Sequence, residues 1–361
     1  GDDVATNRSV PFPISTDVEH FFAAPQATFF IKTDGSLWAT GRNNYGQLGN
    51  GHTDDVWSPI YVASDITKVA AGASHTLFVK SDGELLAVGN NSYGQLGIGT
   101  TTYRSTPLLM AEDVVDVASG NSHALFLTSD GTLWGVGRNN AAQLGDAFDS
   151  YVADPVAIAS NVTAFSAAAG RSLYVTDDGT LWGVGYNDYG QLGLGHTDTV
   201  FTPTVVATQV SDVMTGDGHT LFLKTDGTLW ATGYNAWGQL GDGTLSQRLS
   251  PAQIASDVTA MAVGQMHSFF LKMDGTLWAM GRNDSGQLGD GTTTDRPSPV
   301  LVASNVTDMT VGLGFSLFRE TDGSLWGMGG NSNRFLVDDA EDTKLLPVKI
   351  ADNVTAYAAG N

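Results

Sequence analysis

Residues 226–241 read Asp-Gly-Thr-Leu-Trp-Ala-Thr-Gly-Tyr-Asn-Ala-Trp-Gly-Gln-Leu-Gly. An Asp-Gly pair between apolar alternating runs is a strong hairpin signal, and we expect positive φ at both of its turn residues. The pair recurs every 48 residues. Its seven copies begin at Asp34, Asp82, Asp130, Asp178, Asp226, Asp274 and Asp322. Each 48-residue repeat is therefore predicted to contain one tight β-hairpin.

Other residues keep the same spacing. An asparagine follows the hairpin in every repeat, at Asn43, Asn91, Asn139, Asn187, Asn235, Asn283 and Asn331. Gly-Gln-Leu-Gly comes next in five repeats, whereas the third reads Ala142-Gln143-Leu144-Gly145 and the seventh reads Arg334-Phe335-Leu336-Val337. A later strand starts at a proline, which an edge strand tolerates.

Each repeat thus holds four short strands: an inner strand, two hairpin strands and an outer strand. Seven such antiparallel units predict an all-β fold, a seven-bladed β-propeller that forms a single domain over residues 1–361. The inner and outer strand patterns occur eight times, because residues 11–25 repeat residues 347–361. A ring has room for seven, so one terminal copy closes the ring and the other is redundant. The sequence leaves open which copy does so.

These motifs resemble the regulator-of-chromosome-condensation repeat family, including its alpha-tubulin-suppressor-like members, in the bacterial type. The resemblance rests on Asp-Gly-x-Leu-Trp-x-x-Gly-x-Asn-x-x-Gly-Gln-Leu-Gly and on a downstream Gly-x-x-His, and it covers nearly the whole chain. It implies a propeller fold and a structural histidine in the Gly-x-x-His motif. The same fold hosts unrelated binding functions, so the resemblance leaves the function open.

The composition of the chain limits the kinds of partner that we expect. The formal net charge is −21, so nucleic acid and anionic membrane surfaces are disfavoured and a protein partner with a basic surface is favoured. No apolar run approaches the roughly 18 residues of a membrane span. The chain has no cysteine, which excludes thiol catalysis and thiolate metal sites. We expect a monomer, secreted or otherwise extracytoplasmic and bacterial.

Candidate contact residues lie on the ring face that carries the inner turns and the long loops, because only that face varies between repeats. We expect a partner to contact aromatic and charged residues there. They are Trp57, Tyr103, Phe148, Tyr151, Phe201, Arg171, Asp217, Met266 and Phe315. Aromatic residues also precede the Gln-Leu pair, and we interpret these as packing between blades. They are Tyr45, Tyr93, Tyr189 and Trp237.

Four histidines repeat at one position, at His75, His123, His219 and His267. We interpret them, and the seven asparagines, as structural. A neutral imidazole can donate to one backbone group and accept from another, which would tie the inner turn to its own blade. The triplets that start at Asn161, Asn305 and Asn353 match a glycosylation acceptor but occupy a turn position. The sequence contains no catalytic motif, so we expect no enzyme activity, no cofactor and no metal.

The sequence therefore favours a non-catalytic scaffold that binds a protein through the varied face. The alternatives are a glycan-binding or small-ligand-binding propeller and an inhibitor that caps a hydrolase, as one type of family member does. Nucleotide exchange, as in the founding family type, is disfavoured. Equal 48-residue repeats leave no room for the inserted wedge that exchange uses, and the acidic charge opposes contact with chromatin.

Overall fold

The computed structural model describes residues 15–24, 27–145, 149–331, 336–337 and 342–359. Within these ranges the chain forms 28 β-strands, and no helix is long and apolar enough to cross a membrane. Consecutive groups of four strands make seven antiparallel sheets, each in sequence order. This arrangement confirms the predicted all-β, seven-bladed propeller.

Each blade has four strands, which we describe from the axis outward. The innermost strands are β1 (Val18–Ala24), β5 (Ile66–Ala71), β9 (Val114–Ser119), β13 (Val162–Ala168), β17 (Val210–Thr215), β21 (Val258–Val263) and β25 (Val306–Val311). The second strands are β2 (Ala27–Lys32), β6 (His75–Lys80), β10 (His123–Thr128), β14 (Arg171–Thr176), β18 (His219–Lys224), β22 (His267–Lys272) and β26 (Phe315–Glu320).

The third and fourth strands complete the blades. The third strands are β3 (Leu37–Gly41), β7 (Leu85–Gly89), β11 (Leu133–Arg138), β15 (Leu181–Gly185), β19 (Leu229–Gly233), β23 (Leu277–Gly281) and β27 (Leu325–Gly330). The outermost strands are β4 (Val56–Ala63), β8 (Arg104–Ala111), β12 (Tyr151–Ala159), β16 (Val200–Ala207), β20 (Arg248–Ala255), β24 (Arg296–Ala303) and β28 (Thr343–Ala351).

The ring has two unlike faces. We call one the turn face, because it carries the Asp-Gly turns and the links from each outermost strand to the next blade. The other is the loop face, which carries the turn between the first and second strands and the long loop between the third and fourth. At the loop face the ends of the innermost strands surround an axial cavity. Both faces are built from strand ends, so neighbouring repeats place equivalent side chains side by side around the axis.

The Asp-Gly turns differ from the expected type. Gly35 has a φ of 77°, but Asp34 is not among the residues with positive φ. The Gly35 N–H donates to the Lys32 carbonyl at 2.8 Å, and the Lys32 N–H donates to the Ser36 carbonyl at 2.9 Å. The expectation of positive φ at Asp34 was wrong, because Thr33 makes this a three-residue loop with glycine at the bulge position.

Positive φ at non-glycine residues occurs instead in the links between blades. These link residues are Asp17, Asp65, Asp113, Asn161, Gln209, Asp257, Asn305 and Asn353, with φ between 55° and 61°. The three asparagines of the Asn-Val-Thr triplets are therefore turn residues, as expected, since Asn and Asp tolerate this conformation better than most residues.

The Gly-Gln-Leu-Gly loops join neighbouring blades. Leu48 is fully buried, and the Gln47 carbonyl accepts a hydrogen bond from the Thr76 hydroxyl of the next blade at 2.9 Å. Gly46 has a φ of 75°, and a Cβ there would lie 2.5 Å from Cα of Ser105 in the next blade. Glycine is therefore required at this position both by its backbone conformation and by the close approach.

The described termini show how the eighth strand copies are used. β1 is the innermost strand of blade 1 and pairs with β2, so each blade is built from one continuous stretch of chain. Residues 354–359, the second copy of the innermost strand, form no strand. They pack against Leu317 and Leu325 of blade 7 through Val354, Tyr357 and Ala359. The outer-strand copy at residues 11–14 lies outside the described residues.

Candidate functional site on the loop face

Four of the predicted contact residues lie at the loop face, where the outermost strands begin. Trp57, Tyr103, Tyr151 and Phe201 are 49%, 53%, 44% and 53% exposed. They belong to blades 1, 2, 3 and 4 in that order, so they form an arc along the rim of the ring. Phe148 lies outside the described residues. Exposed aromatic side chains in such an arc are the usual anchors of protein interfaces.

The predicted residues at the inner turns do not form one site. Asp217 is exposed and lines the axial cavity, which has a volume of about 720 Å³ and also has Arg42, Asn121 and Gln265 in its wall. Met266 is half-buried, and its sulfur lies 3.8 Å from the amide nitrogen of Gln239. Phe315 lines a separate apolar cavity beside residues 354–359.

Arg171 does not reach the surface. Its side chain is 1% exposed, and its guanidinium donates to the carbonyls of Asp217 at 2.8 Å, Gly216 at 2.5 Å and His219 at 3.2 Å in the next blade. Burial lowers the pKa of Arg171 to about 10, so the group stays charged at neutral pH. The expectation that Arg171 contacts a partner is therefore corrected: it joins blades 4 and 5 where other blades carry histidine.

The four repeated histidines are buried and also join blades. Each Nε2 lies near a serine hydroxyl of the next blade. We expected the imidazole to bond to backbone groups of its own blade. The distances are 3.5 Å for His75 to Ser119, 3.4 Å for His123 to Ser172, 2.9 Å for His219 to Ser268 and 3.2 Å for His267 to Ser316. Contacts of this kind suit a structural role.

Burial also fixes the charge of these histidines. It lowers the pKa of His75 and His267 to about 4 and the pKa of His123 and His219 to about 3. The imidazoles are therefore neutral at pH 7. Among the described residues, no group of three or more His, Asp or Glu side chains is arranged to hold a metal ion.

The repeated asparagines are buried and shape the long loops. In blade 5 the Asn235 Oδ1 accepts the Leu240 N–H at 3.0 Å. Its Nδ2 donates to the carbonyls of Thr244 at 3.0 Å and Ser246 at 3.1 Å and to the Asp242 carboxylate at 3.0 Å. One amide thus fixes both ends of the loop, which presents the rim residues.

Three of the four aromatic residues that precede the Gln-Leu pair contact the next blade, as interpreted from the sequence, but they are also surface residues. Tyr45, Tyr93, Tyr189 and Trp237 are 41%, 38%, 45% and 36% exposed, so they are not simply buried between blades. Three of them stack on a side chain of the next blade. These inter-blade pairs are Arg138 over Tyr93 at 5.2 Å, Tyr189 with Tyr234 at 4.9 Å, and Arg282 over Trp237 at 5.3 Å.

These pairs lie close to the axial cavity. The position of Arg138 and Arg282 in blades 3 and 6 is occupied by Arg42 in blade 1, which lines the cavity. Stacking on an aromatic ring holds a guanidinium in place with its N–H edge accessible, at a modest gain of about 0.5–1 kcal/mol per exposed pair. We call Tyr93, Tyr189 and Trp237, with their partners Arg138, Tyr234 and Arg282, the inner belt. We call Trp57, Tyr103, Tyr151 and Phe201 the rim arc.

Arginine is concentrated on this face. All described arginines except Arg319 lie at strand ends or turns of the loop face. They are Arg42, Arg104, Arg138, Arg171, Arg248, Arg282 and Arg296. Arg248 and Arg296 form ion pairs with the nearly buried carboxylates of Asp242 and Asp290. Arg282 also pairs with Asp284. The exposed Arg42 and the half-buried Arg104, Arg138 and Arg282 thus lie on the same face as the exposed aromatics, the composition that interface hot spots favour.

Comparison with known families places the chain. The family described as "RCC1-like domain" matches residues 108–361. The regulator of chromosome condensation (RCC1) repeat matches residues 34–79 and 82–127, and a second form of this repeat matches residues 66–95. The chain belongs to the RCC1-like repeat family. Comparison with curated protein sequences gives no match.

Three solved structures share the fold over most of this chain. Human WBSCR16 is 25% identical with a TM-score of 0.71, over 85% of this chain and 87% of that chain. Prp20p from Saccharomyces cerevisiae, whose structure was described with its binding to Gsp1p and histones, is 20% identical with a TM-score of 0.73, over 92% and 91%. A chain from the complex of Kap60 with yeast RCC1 (Prp20) is 17% identical with a TM-score of 0.70, over 98% and 91%.

Proposed function

We propose that this RCC1-like propeller is a non-catalytic scaffold that binds a protein partner through its loop face. The observation that carries the proposal is the inner belt, in which Tyr93 and Trp237 are exposed yet held by arginines of the next blade. A rigid, amphipathic side chain can contact a partner with little loss of conformational freedom. The rim arc extends the same surface outward over blades 1 to 4.

The partner we propose is a protein with a basic surface. The net charge of −21 attracts such a protein at long range and repels phosphate backbones. At close range, the exposed carboxylate of Asp217 and the exposed rings of the rim arc can receive lysine and arginine side chains. RCC1-like neighbours are described with protein partners, namely Gsp1p, histones and Kap60, which supports a protein ligand in general.

Nucleotide exchange is not part of the proposal. The described strands follow one another with the same four-strand order in every blade, and every strand of the described residues belongs to one of these seven sheets. This regularity supports a scaffold, in which variation is confined to side chains and long loops.

The test is affinity capture from the proteins of the source organism, followed by mass spectrometry. Four baits are compared: the native chain, a rim-arc variant (Trp57→Ala, Tyr103→Ala, Phe201→Ala), an inner-belt variant (Tyr93→Ala, Trp237→Ala) and a control. The control, Tyr61→Ala with Met273→Ala, removes equally exposed side chains away from the loop face, where Tyr61 is 53% and Met273 is 77% exposed.

We expect a protein that the native and control baits retain and that the inner-belt bait loses. Retention by every bait would contradict a loop-face site. Absence of any specific protein, together with saturable binding of the native chain on a glycan array, would contradict a protein ligand and favour the glycan alternative.

A further inference from the structure

The innermost strands of blades 2 to 7 start from the preceding blade in the same way. The first residue of the strand donates its N–H to the glycine carbonyl of the Asp-Gly turn in the blade before it. The six junctions inside the chain are Ile66 to Gly35, Val114 to Gly83, Val162 to Gly131, Val210 to Gly179, Val258 to Gly227 and Val306 to Gly275, at 2.9–3.0 Å. Val354 donates to Gly323 at 2.9 Å in the same manner.

Residues 354–359 therefore begin where the innermost strand of the blade after blade 7 should begin. In a closed ring that blade is blade 1, whose innermost strand is already β1. The Gly323 carbonyl, which would receive the Val18 N–H by analogy with the six other junctions, is bonded to Val354 instead. Both β1 and residues 354–359 thus correspond to the same position in the ring, that of the innermost strand of blade 1.

The two segments also match in sequence. Their offset is 336 residues, seven repeats of 48, so Val354, Tyr357, Ala358 and Ala359 correspond to Val18, Phe21, Phe22 and Ala23. β1 pairs with β2 in the register Phe21 to Phe30, Phe22 to Phe29 and Ala23 to Thr28. Residues 354–359 can pair with β2 in this same register, with the strand direction and the exposed face of β1 unchanged.

The second copy lies next to blade 1 in the ring. Ala358 lines two cavities, and Phe21 of β1 lines both of them as well. On its other side the copy is held by blade 7, where Arg319 donates to the carbonyls of Val354 at 3.2 Å and Thr355 at 3.0 Å. Only local movement therefore separates the copy from the edge of β2.

We propose that residues 354–359 are an alternative innermost strand for blade 1, which can replace β1 on β2 in the same register. The ring can then be closed in two ways, by β1 or by the C-terminal copy. In the exchanged form, residues 354–359 and the strands β2, β3 and β4 make up blade 1. Backbone hydrogen bonds between residues 354–359 and β2 then join the last blade to the first.

Side-chain size explains why β1 holds the position in the described structure. Phe22 packs against the core cluster of blades 1 and 2, and Phe21 contacts Phe30 at a ring separation of 6.1 Å. The copy presents Ala358 in place of Phe22, so the exchange gives up apolar contacts that β1 makes. The difference between Phe22 and Ala358 thus favours β1, and substitution at either position should shift the balance.

Paired cysteines in the full chain test the proposal directly, because the native sequence has no cysteine. The test variant is Thr28→Cys with Ala359→Cys, and the matched control is Thr28→Cys with Ala23→Cys. A disulfide needs Cα atoms about 4.4–6.8 Å apart, so each pair reports which segment lies on β2. Both are equilibrated in a glutathione buffer and read by intact mass and peptide mapping.

We expect an intramolecular disulfide between positions 28 and 359, whose equilibrium constant rises at least about tenfold when Phe22→Ala is added, because that change removes the packing advantage of β1. Ala358→Phe should raise it as well. No disulfide between these positions in the Phe22→Ala background would overturn the proposal. So would unfolding of that variant by circular dichroism, since a competent second strand would have replaced β1.

Discussion

The imidazole Nε2 of His219 in blade 5 lies 2.9 Å from the hydroxyl oxygen of Ser268 in blade 6. The Ser268 hydroxyl donates to the Gln239 carbonyl at 2.9 Å, so its oxygen accepts from the imidazole, and Nε2 must carry the proton. The opposite nitrogen, Nδ1, is buried and has no hydrogen-bond partner among the described residues. Protonation there would bury a donor without an acceptor, which agrees with the low pKa of His219.

The propeller should therefore lose stability in mild acid. The four buried histidines have folded-state pKa values of about 3 or 4, below the unfolded value of 6.5, so only the unfolded chain takes up protons between these limits. The free energy of unfolding should fall as pH drops from about 6.5 toward 4. At pH 5.5 each histidine should cost about 1.4 kcal/mol.

Denaturant unfolding between pH 7.5 and 4.5 measures this effect. His52→Gln, which removes an exposed histidine instead of a buried one, is the comparison variant. Equal stability at pH 7 and pH 5 in the native chain would show that the buried histidines do not titrate on unfolding in this way.

Replacing Ala142 by glycine should stabilise the protein. Ala142 has a φ of 57° and is 1% exposed, at a loop position where five other repeats carry glycine. A left-handed alanine costs about 1–2 kcal/mol, of which the greater freedom of glycine in the unfolded chain cancels a part. We expect a gain of roughly 0.5–1 kcal/mol, measured from the shift in urea midpoint.

The matched control for this change is Gly190→Ala in blade 4. Gly190 has a φ of 71°, and a Cβ there would lie 2.8 Å from Cα of Leu249. This substitution should destabilise the protein by about 1–3 kcal/mol. If both substitutions shift the midpoint in the same direction, backbone strain does not decide the residue at this position.

Arg171 should tolerate histidine better than alanine. Four of the other six blades place histidine at its position, and in three of them the Nε2 lies near the serine equivalent to Thr220. The Thr220 hydroxyl is buried and has no hydrogen-bond partner among the described residues. Arg171→His supplies one, whereas Arg171→Ala removes the donor from the Gly216 and Asp217 carbonyls and opens a cavity.

We expect Arg171→Ala to lose about 3–5 kcal/mol and Arg171→His to lose markedly less, as measured by urea denaturation. Partner affinity, measured on folded protein, should be unchanged in Arg171→His because the side chain does not reach the surface. Loss of binding in that variant with stability retained would restore Arg171 as a contact residue.

Changing Asn235 to aspartate should open its loop. The amide Nδ2 donates three hydrogen bonds, which a carboxylate cannot do, and the new charge would be fully buried beside Asp242. The expected loss is about 3 kcal/mol or more. Asn44→Asp is the control, since the exposed Asn44 only accepts from Arg42 at 2.9 Å and aspartate can still accept. Similar losses in both would contradict a specific role for Asn235.

The repeat spacing was sufficient to predict the propeller, because Asp-Gly, Asn and Gly-Gln-Leu-Gly each mark one place in a blade. The turn type was predicted wrongly, since Asp-Gly alone does not reveal that Thr33 belongs to the loop. Arg171 was misinterpreted for a different reason. A single departure from a repeated histidine looked functional, whereas the structure gives it the same kind of inter-blade contact with a longer side chain.

The packing of the inner-belt aromatics between blades was predicted, but their exposure and their arginine partners were not, because the contacts join residues at different positions of neighbouring repeats. Spacing shows which residues share a position, but stacking of Arg138 on Tyr93 depends on the lateral approach of two blades. A signal was present, since aromatic residues at the position of Tyr45 and arginines at the position of Arg42 recur in the same loop. The ring junction could not be predicted either, because both strand copies fit it equally well by pattern.

The central claim is that the loop face binds a protein, and the affinity of the captured partner for two matched variants tests it most directly. Isothermal titration would compare Trp237→Ala on the loop face with Met273→Ala on the turn face, both folded by circular dichroism. The account predicts a loss of about 2 kcal/mol or more for Trp237→Ala, roughly thirtyfold in Kd, and little change for Met273→Ala. Unchanged affinity in Trp237→Ala, with a loss in Met273→Ala, would contradict it.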